Sequence, residues 1–188
     1  MVPDPDALRR RLEAAGARLL FEGRLEDRRY DFPDGRLEAR DEVVRVRTAA
    51  PAAGAPGAAR ASLDWKGPTR AEGGYKVREE RSTPVGDPGV TALVLARLGL
   101  VVRRAVDREV AEYALGDGAD AAAVRLERYP RMDVLVEVEG APAAIERAVA
   151  ATGIPRAAFG AGRLTDYKLA YERRTGLRAA SARAELDA

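Results

Sequence analysis

The chain has 188 residues, a third of them charged, yet its net charge is only +2, so one ordinary domain with a sizeable core is expected and no basic excess points to nucleic acid. It contains neither cysteine nor histidine, which excludes disulfides, thiol nucleophiles, imidazole bases and structural zinc sites. Carboxylate, lysine, arginine, tyrosine and hard cations bound through oxygen are the chemistry left.

The opening segment predicts a helix: Asp4 caps, Pro5 fits the first helical position, Leu8, Leu12 and Ala15 share a face, and Gly16 stops it. It lacks the apolar core of a signal peptide, and no apolar run in the chain is long enough to cross a bilayer, so a cytoplasmic protein without membrane attachment is expected. Next come the alternating segments "LLFEGRLEDRRYDF", "EVVRVRTA", "RASLDWKGP" and "GYKVREERST", which predict strands, with residues 49–59, rich in Ala, Pro and Gly, as a flexible hairpin loop.

A second helix repeats the first one's grammar: Asp87 caps, Pro88 opens, Val90, Leu93, Val94 and Leu98 carry the apolar stripe, and Gly99 closes it. Strands follow again in "LVVRRAVDREVAEYAL", "AAAVRLERY" and "DVLVEVEG". Helix followed by antiparallel strands thus occurs twice, a weak internal pseudo-repeat. Pro142 opens a third helix with Ile145 and Val149 inward, ending at Gly153. Thr165 starts a last one through Tyr167, Leu169 and Tyr171 to Gly176, and residues 177–188 read as a disordered tail behind a single domain of residues 1–176.

The charged phase of these strands is unusual. Residues two apart in a strand share a face, so Arg45 and Arg47 oppose Val44 and Val46, Glu137 and Glu139 oppose Val136 and Val138, and Asp64 and Lys66 oppose Leu63 and Trp65. Lys76, Arg78 and Glu80 form another such set. Ordinary amphipathic strands wetting one face in bulk water explain any single segment. Blocks of one sign favour a second reading, because like charges two apart gain nothing from each other whereas an anion with divalent cations complements them. A small barrel, polar inside and helix-covered outside, would enclose such a set.

Five segments in order resemble the CYTH, or triphosphate tunnel, family, from the opening helix to about Tyr171: "EDRRYD" (26–31), "VRVR" (44–47), "LDWKGP" (63–68), "KVREE" (76–80) and "LVEVE" (135–139). The family includes class IV adenylyl cyclases, thiamine triphosphatases and inorganic triphosphatases. The resemblance implies an α+β fold, an antiparallel eight-stranded barrel forming a tunnel with helices packed outside. It implies that Arg45, Arg47, Lys66, Lys76, Arg78 and Arg108 bind the phosphate chain, as a triphosphate needs several cations and arginine adds bidentate geometry. Glu127, Glu137 and Glu139 are then ligands of Mg²⁺ or Mn²⁺, with Glu80 in the metal shell or in an ion pair.

The chain also departs from the family pattern. The N-terminal strand Glu-x-Glu-x-Lys is missing, so Met1 and Val2 stand where its end belongs, and the expectation is that the natural chain begins upstream. Val110 replaces an arginine in a "KxRxxY" segment ending at Tyr113, an aromatic read as packing, and Glu127 replaces an aspartate. Expected function is divalent-metal-dependent hydrolysis of an inorganic or organic triphosphate. The alternatives are cyclisation of ATP to cyclic AMP, a catalytically weakened phosphate- or nucleotide-binding module, and charges that merely neutralise one another. A general base is not identifiable. A homodimer through the outer helices is open, although no apolar excess marks a surface for it.

Overall fold

A computed structural model describes Val2 and residues 4–186. Among the described residues five α-helices are formed, α1 (Pro5–Ala14), α2 (Arg36–Ala39), α3 (Pro88–Arg97), α4 (Pro142–Thr152) and α5 (Leu164–Thr175). The strands are β1 (Arg18–Asp31), β2 (Val43–Pro51), β3 (Arg60–Lys66), β4 (Arg70–Glu72), β5 (Tyr75–Val77), β6 (Glu80–Pro84), β7 (Val101–Leu115), β8 (Ala122–Arg128) and β9 (Leu135–Glu139). Seven make one sheet in the order β6-β3-β2-β1-β7-β8-β9, and β4 and β5 form a separate hairpin. The α+β class with an antiparallel sheet is as the sequence implied. The family pattern of eight strands, less the N-terminal strand missing from this sequence, leaves the seven of the sheet, with β6 and β9 at the two ends of the order.

The chain divides into two compact units. The first comprises residues 1–23, 51–57 and 108–188, the second residues 24–50 and 58–107. In the first unit, Leu8 and Leu12 of α1 and Ala144 and Ala148 of α4 pack with Ala111, Tyr113, Val124 and Leu126 of the strands. Asp4 accepts the Ala7 N–H at 2.9 Å, which satisfies one of the orphan donors that open α1. Val2 is buried in the same cluster and donates its N–H to the Val134 carbonyl at 2.8 Å. Met1, the other residue placed at the end of a strand, lies outside the described residues.

Residues 177–186, the described part of the stretch read as a tail, make contacts with the first unit's other segments. Arg131 and Ala180 exchange two backbone hydrogen bonds, at 3.1 and 2.8 Å, and Ala179 to Ala182 are buried. Lys168 of α5 reaches Glu185 at 2.8 Å, and the Ala179 N–H reaches Glu172 at 2.9 Å. A run rich in alanine reads as featureless in sequence yet fits where larger residues would not. Asp187 and Ala188 lie outside the described residues.

In the second unit Tyr30, Leu37, Val46, Leu95 and Leu100 form the core, with Phe32, Val44, Leu63 and Ala92 against it. Asp87 caps α3 through the Val90 N–H at 2.9 Å, as the sequence suggests. The inward face of α3 is not the predicted one: Leu95 is buried, whereas Val90, Leu93, Val94 and Leu98 are all more than half exposed. An apolar surface thus exists where none was expected. Trp65 of β3 folds its ring over Gly67, close enough that a Cβ there would lie 2.9 Å from it.

Candidate functional site

In the second unit the charges sit opposite one another across the ladder. Arg45 of β2 faces Asp64 of β3, which faces Ser82 of β6, and Lys66 faces Glu80. Arg45 donates from Nε at 2.9 Å and Nη2 at 2.6 Å to Asp64, and Ser82 donates its hydroxyl to the other oxygen at 2.6 Å. Burial alone would push the Asp64 carboxyl up, but Ser82 and Arg45 outweigh it and hold it below the usual carboxylate range. Lys66 Nζ lies 2.7 Å from Glu80.

The residue that sequence reasoning missed here is Asp27, only 1% exposed. It accepts Arg47 Nε and Nη2 at 2.7 and 2.9 Å, and Arg45 Nη1 at 3.2 Å. Its signal was its phase in β1: Phe21, Gly23, Leu25 and Asp27 form the buried alternate set, so an acid ends an otherwise apolar row. The like-signed pair Arg45 and Arg47 therefore shares a face, as predicted, and is bridged by a buried aspartate. The 21%-exposed side chain of Arg47 keeps its Nη1 without a partner among the described residues. Arg47, Arg45 and Lys66, the last opposite Val43, make a row of about 13 Å on one face at ordinary strand rise.

Lys76, Arg78 and Glu80 do not share a strand face. The Gly73–Gly74 turn, both residues at positive φ, closes β4 on β5, and the strand breaks at Arg78 and Glu79 before β6 begins. Lys76 is exposed on that hairpin. Arg78 grips backbone instead, donating to the carbonyls of Gly67 at 2.8 Å, Asp41 at 2.7 Å and Lys66 at 3.3 Å. Asp41, in the left-handed region at φ 54°, accepts the Thr69 N–H from the same joint.

In the first unit the charged face runs over β7, β8 and β9. Arg125 stands directly between Glu112 and Glu137 in register. Its Nε lies 3.2 Å from Glu112, and its Nη1 lies 2.6 Å from Glu139 and 3.4 Å from Glu137. Burial would lower the Arg125 guanidinium, but Glu139, Glu112 and Glu137 hold it well above its ordinary value, fully charged. Neither Arg125 nor Glu112 was singled out in the sequence.

Two residues along, Glu127 is buried and accepts Arg108 Nε at 2.7 Å and the Tyr129 hydroxyl at 2.5 Å. Arg108 reaches it diagonally, because the residue opposite Glu127 is Val110. Burial and the Glu127 charge push the Tyr129 phenol up. Glu137 is raised too, first by burial and then by Glu127 and Glu139. Its side chain is still 49% exposed, so of these causes the nearby charges of Glu127 and Glu139 fit the geometry better than exclusion of water does. Tyr113, fully buried, belongs to the apolar cluster and donates to Glu13 at 3.3 Å, in keeping with a packing role.

Oxygen donors of this kind suit Mg²⁺ or Mn²⁺, but their placement does not. Among the described residues no group of three or more acidic side chains is arranged to hold a metal ion. Glu80 faces Lys66, Glu127 faces Arg108, and Glu137 and Glu139 face Arg125. A cavity of about 250 Å³ in the first unit, lined by Arg9, Glu22, Glu109, Leu126 and Arg128 among others, contains none of the predicted site residues. No helix among the described residues is long and apolar enough to cross a membrane.

No family model matches the sequence, and no curated protein matches it. Solved structures do. A candidate adenylate cyclase from Vibrio parahaemolyticus superposes with a TM-score of 0.71 at 17% identity, over 88% of this chain and 92% of that one. The PH1012 protein of Pyrococcus horikoshii gives 0.65 at 15% identity, over 87% and 93%. The chain therefore has the fold of the CYTH, or triphosphate tunnel, class. Within that class it is similar to a candidate adenylyl cyclase from Hippeastrum described as having a dominant triphosphatase activity, with a TM-score of 0.62 at 16% identity over 90% and 92% of the two chains.

Proposed function

We propose that the protein binds an inorganic or organic triphosphate and hydrolyses it, in the cytoplasm. The observation that carries this reading is the row of Lys66, Arg45 and Arg47, in which Arg47 Nη1, without a partner among the described residues, is able to receive an anion. Arg45 is committed to Asp27 and Asp64 and orients the row, whereas Arg47 and Lys66, each with a single carboxylate partner, meet phosphate oxygens. The chain has no histidine or cysteine to carry a phosphoryl group, and in this reading water attacks directly while the cations neutralise the charge that develops. Magnesium or manganese enters as the counter-ion of the triphosphate, since the glutamates of this chain already face its own cations.

That last fact favours a second reading, binding without turnover. Calorimetry with tripolyphosphate in metal-free buffer tests the row itself: Arg47→Ala and Lys66→Ala are each expected to weaken binding by about tenfold or more, and variants that bind like the parent overturn it. Phosphate release from tripolyphosphate, ATP and thiamine triphosphate with Mg²⁺ or Mn²⁺ then separates a hydrolase from a binding module. Cyclic AMP as the product from ATP would assign the reaction to cyclisation instead.

A further inference from the structure

Four glutamates, Glu112, Glu127, Glu137 and Glu139, lie on one strand face of the first unit with two arginines, Arg108 and Arg125. The four carboxylates outnumber the two guanidiniums by two charges, an excess that by charge alone would suit one divalent cation. The geometry assigns the place differently. We propose that Arg125 is the resident cation of this cluster, a tethered guanidinium that takes the carboxylates a metal ion would need and so keeps Glu137 and Glu139 from acting as metal ligands.

Register is the first support. Arg125 is directly opposite Glu112 on one side and Glu137 on the other, so two backbone ladders aim the three side chains at one point, and Glu139 joins diagonally. Such cross-strand pairs are held by the sheet itself and cost little extra ordering. Accessibility is the second. The Arg125 side chain is only 17% exposed, while Glu137 and Glu139 remain 49% and 45% exposed. The guanidinium thus sits beneath carboxylates that open to solvent, in contact with the oxygens a cation arriving from solvent would meet. A planar guanidinium stays charged at every accessible pH. Divalent binding at Glu137 and Glu139 must displace Arg125 or tolerate a positive charge within a few ångströms, and either weakens it.

This inference concerns the acidic face and does not need the triphosphate reading; its experiment contains no phosphate, so either can fail alone. Mn²⁺ binding to the full chain is measured by electron paramagnetic resonance and calorimetry, with circular dichroism to confirm folding. The parent protein is expected to bind Mn²⁺ weakly, and Glu137→Gln alone to leave that binding unchanged. Arg125→Gln is expected to bind Mn²⁺ at least about tenfold more tightly, an increase lost again in Arg125→Gln with Glu137→Gln. Arg125→Lys, which keeps the charge, should behave like the parent. Equal Mn²⁺ affinity of the parent and Arg125→Gln overturns the proposal. Should Arg125→Gln not fold, a drop in Mn²⁺ binding on Glu137→Gln in the parent overturns it equally, since the glutamate would then be serving a metal despite the arginine.

Discussion

Asp27 illustrates how one side chain reconciles two like charges. Arginines two apart on a strand point the same way, and the buried carboxylate between them takes three of their N–H donors. Removing one partner of a buried charge set costs more than the set contributes when intact, because the survivors keep their desolvation cost. Asp27→Ala is accordingly expected to destabilise the protein by about 3 kcal/mol in urea unfolding. A loss within experimental error of zero would mean that Asp64 alone suffices for both arginines. The sequence made the arginine pair legible, since alternation needs only local pattern, but the aspartate's role depends on which strand lies next to β2. Pairing of distant strands is not written in any local window.

At the level of elements, the helix boundaries followed from Asp-Pro starts and glycine stops, each a local event of dihedral freedom and orphan N–H groups. The observed α1, α3 and α4 agree with expectation within two residues at either end. Which face of α3 turns inward was not legible, because both of its faces carry apolar residues and only packing selects between them. Splitting of the segment that holds Lys76 to Glu80 was missed for a similar reason: its glycines signal a turn, but the anchoring of Arg78 on three carbonyls is non-local. The tail is the element whose role is most open to measurement. Deleting residues 177–188 removes the Arg131–Ala180 bridge, the Lys168–Glu185 pair and the buried alanines. A loss of roughly 2–4 kcal/mol is expected, read as a lower Tm, and an unchanged Tm would show that these contacts contribute nothing.

For the whole molecule, acid is the informative perturbation. Asp64 is held low as described above, and Asp31 is held low because the N–H groups of Phe32, Leu37 and Glu38, with Arg103, outweigh its burial. Glu22 is lowered by Arg9, and Glu185, against its burial, by Lys168 and Ser181. A carboxyl lowered on folding stabilises above its unfolded value and loses that contribution as pH falls through the folded one. Glu137, raised on folding, works in the opposite sense and is relieved by acid. With four groups against one, stability should hold down to about pH 4 and fall steeply below it. Urea midpoints that stay flat from pH 5 to about pH 2 would contradict the assignment of these pairs as stabilising.

Trp65 is the sole indole of the chain, one residue from Lys66 and folded over Gly67. Ultraviolet emission excited at its absorption edge therefore reports the second unit alone, while the six tyrosines, spread over both units, report the whole. Comparing the two signals during a melt would tell whether the units come apart together or in turn. The same indole offers an unlabelled optical readout of anything that settles beside Lys66.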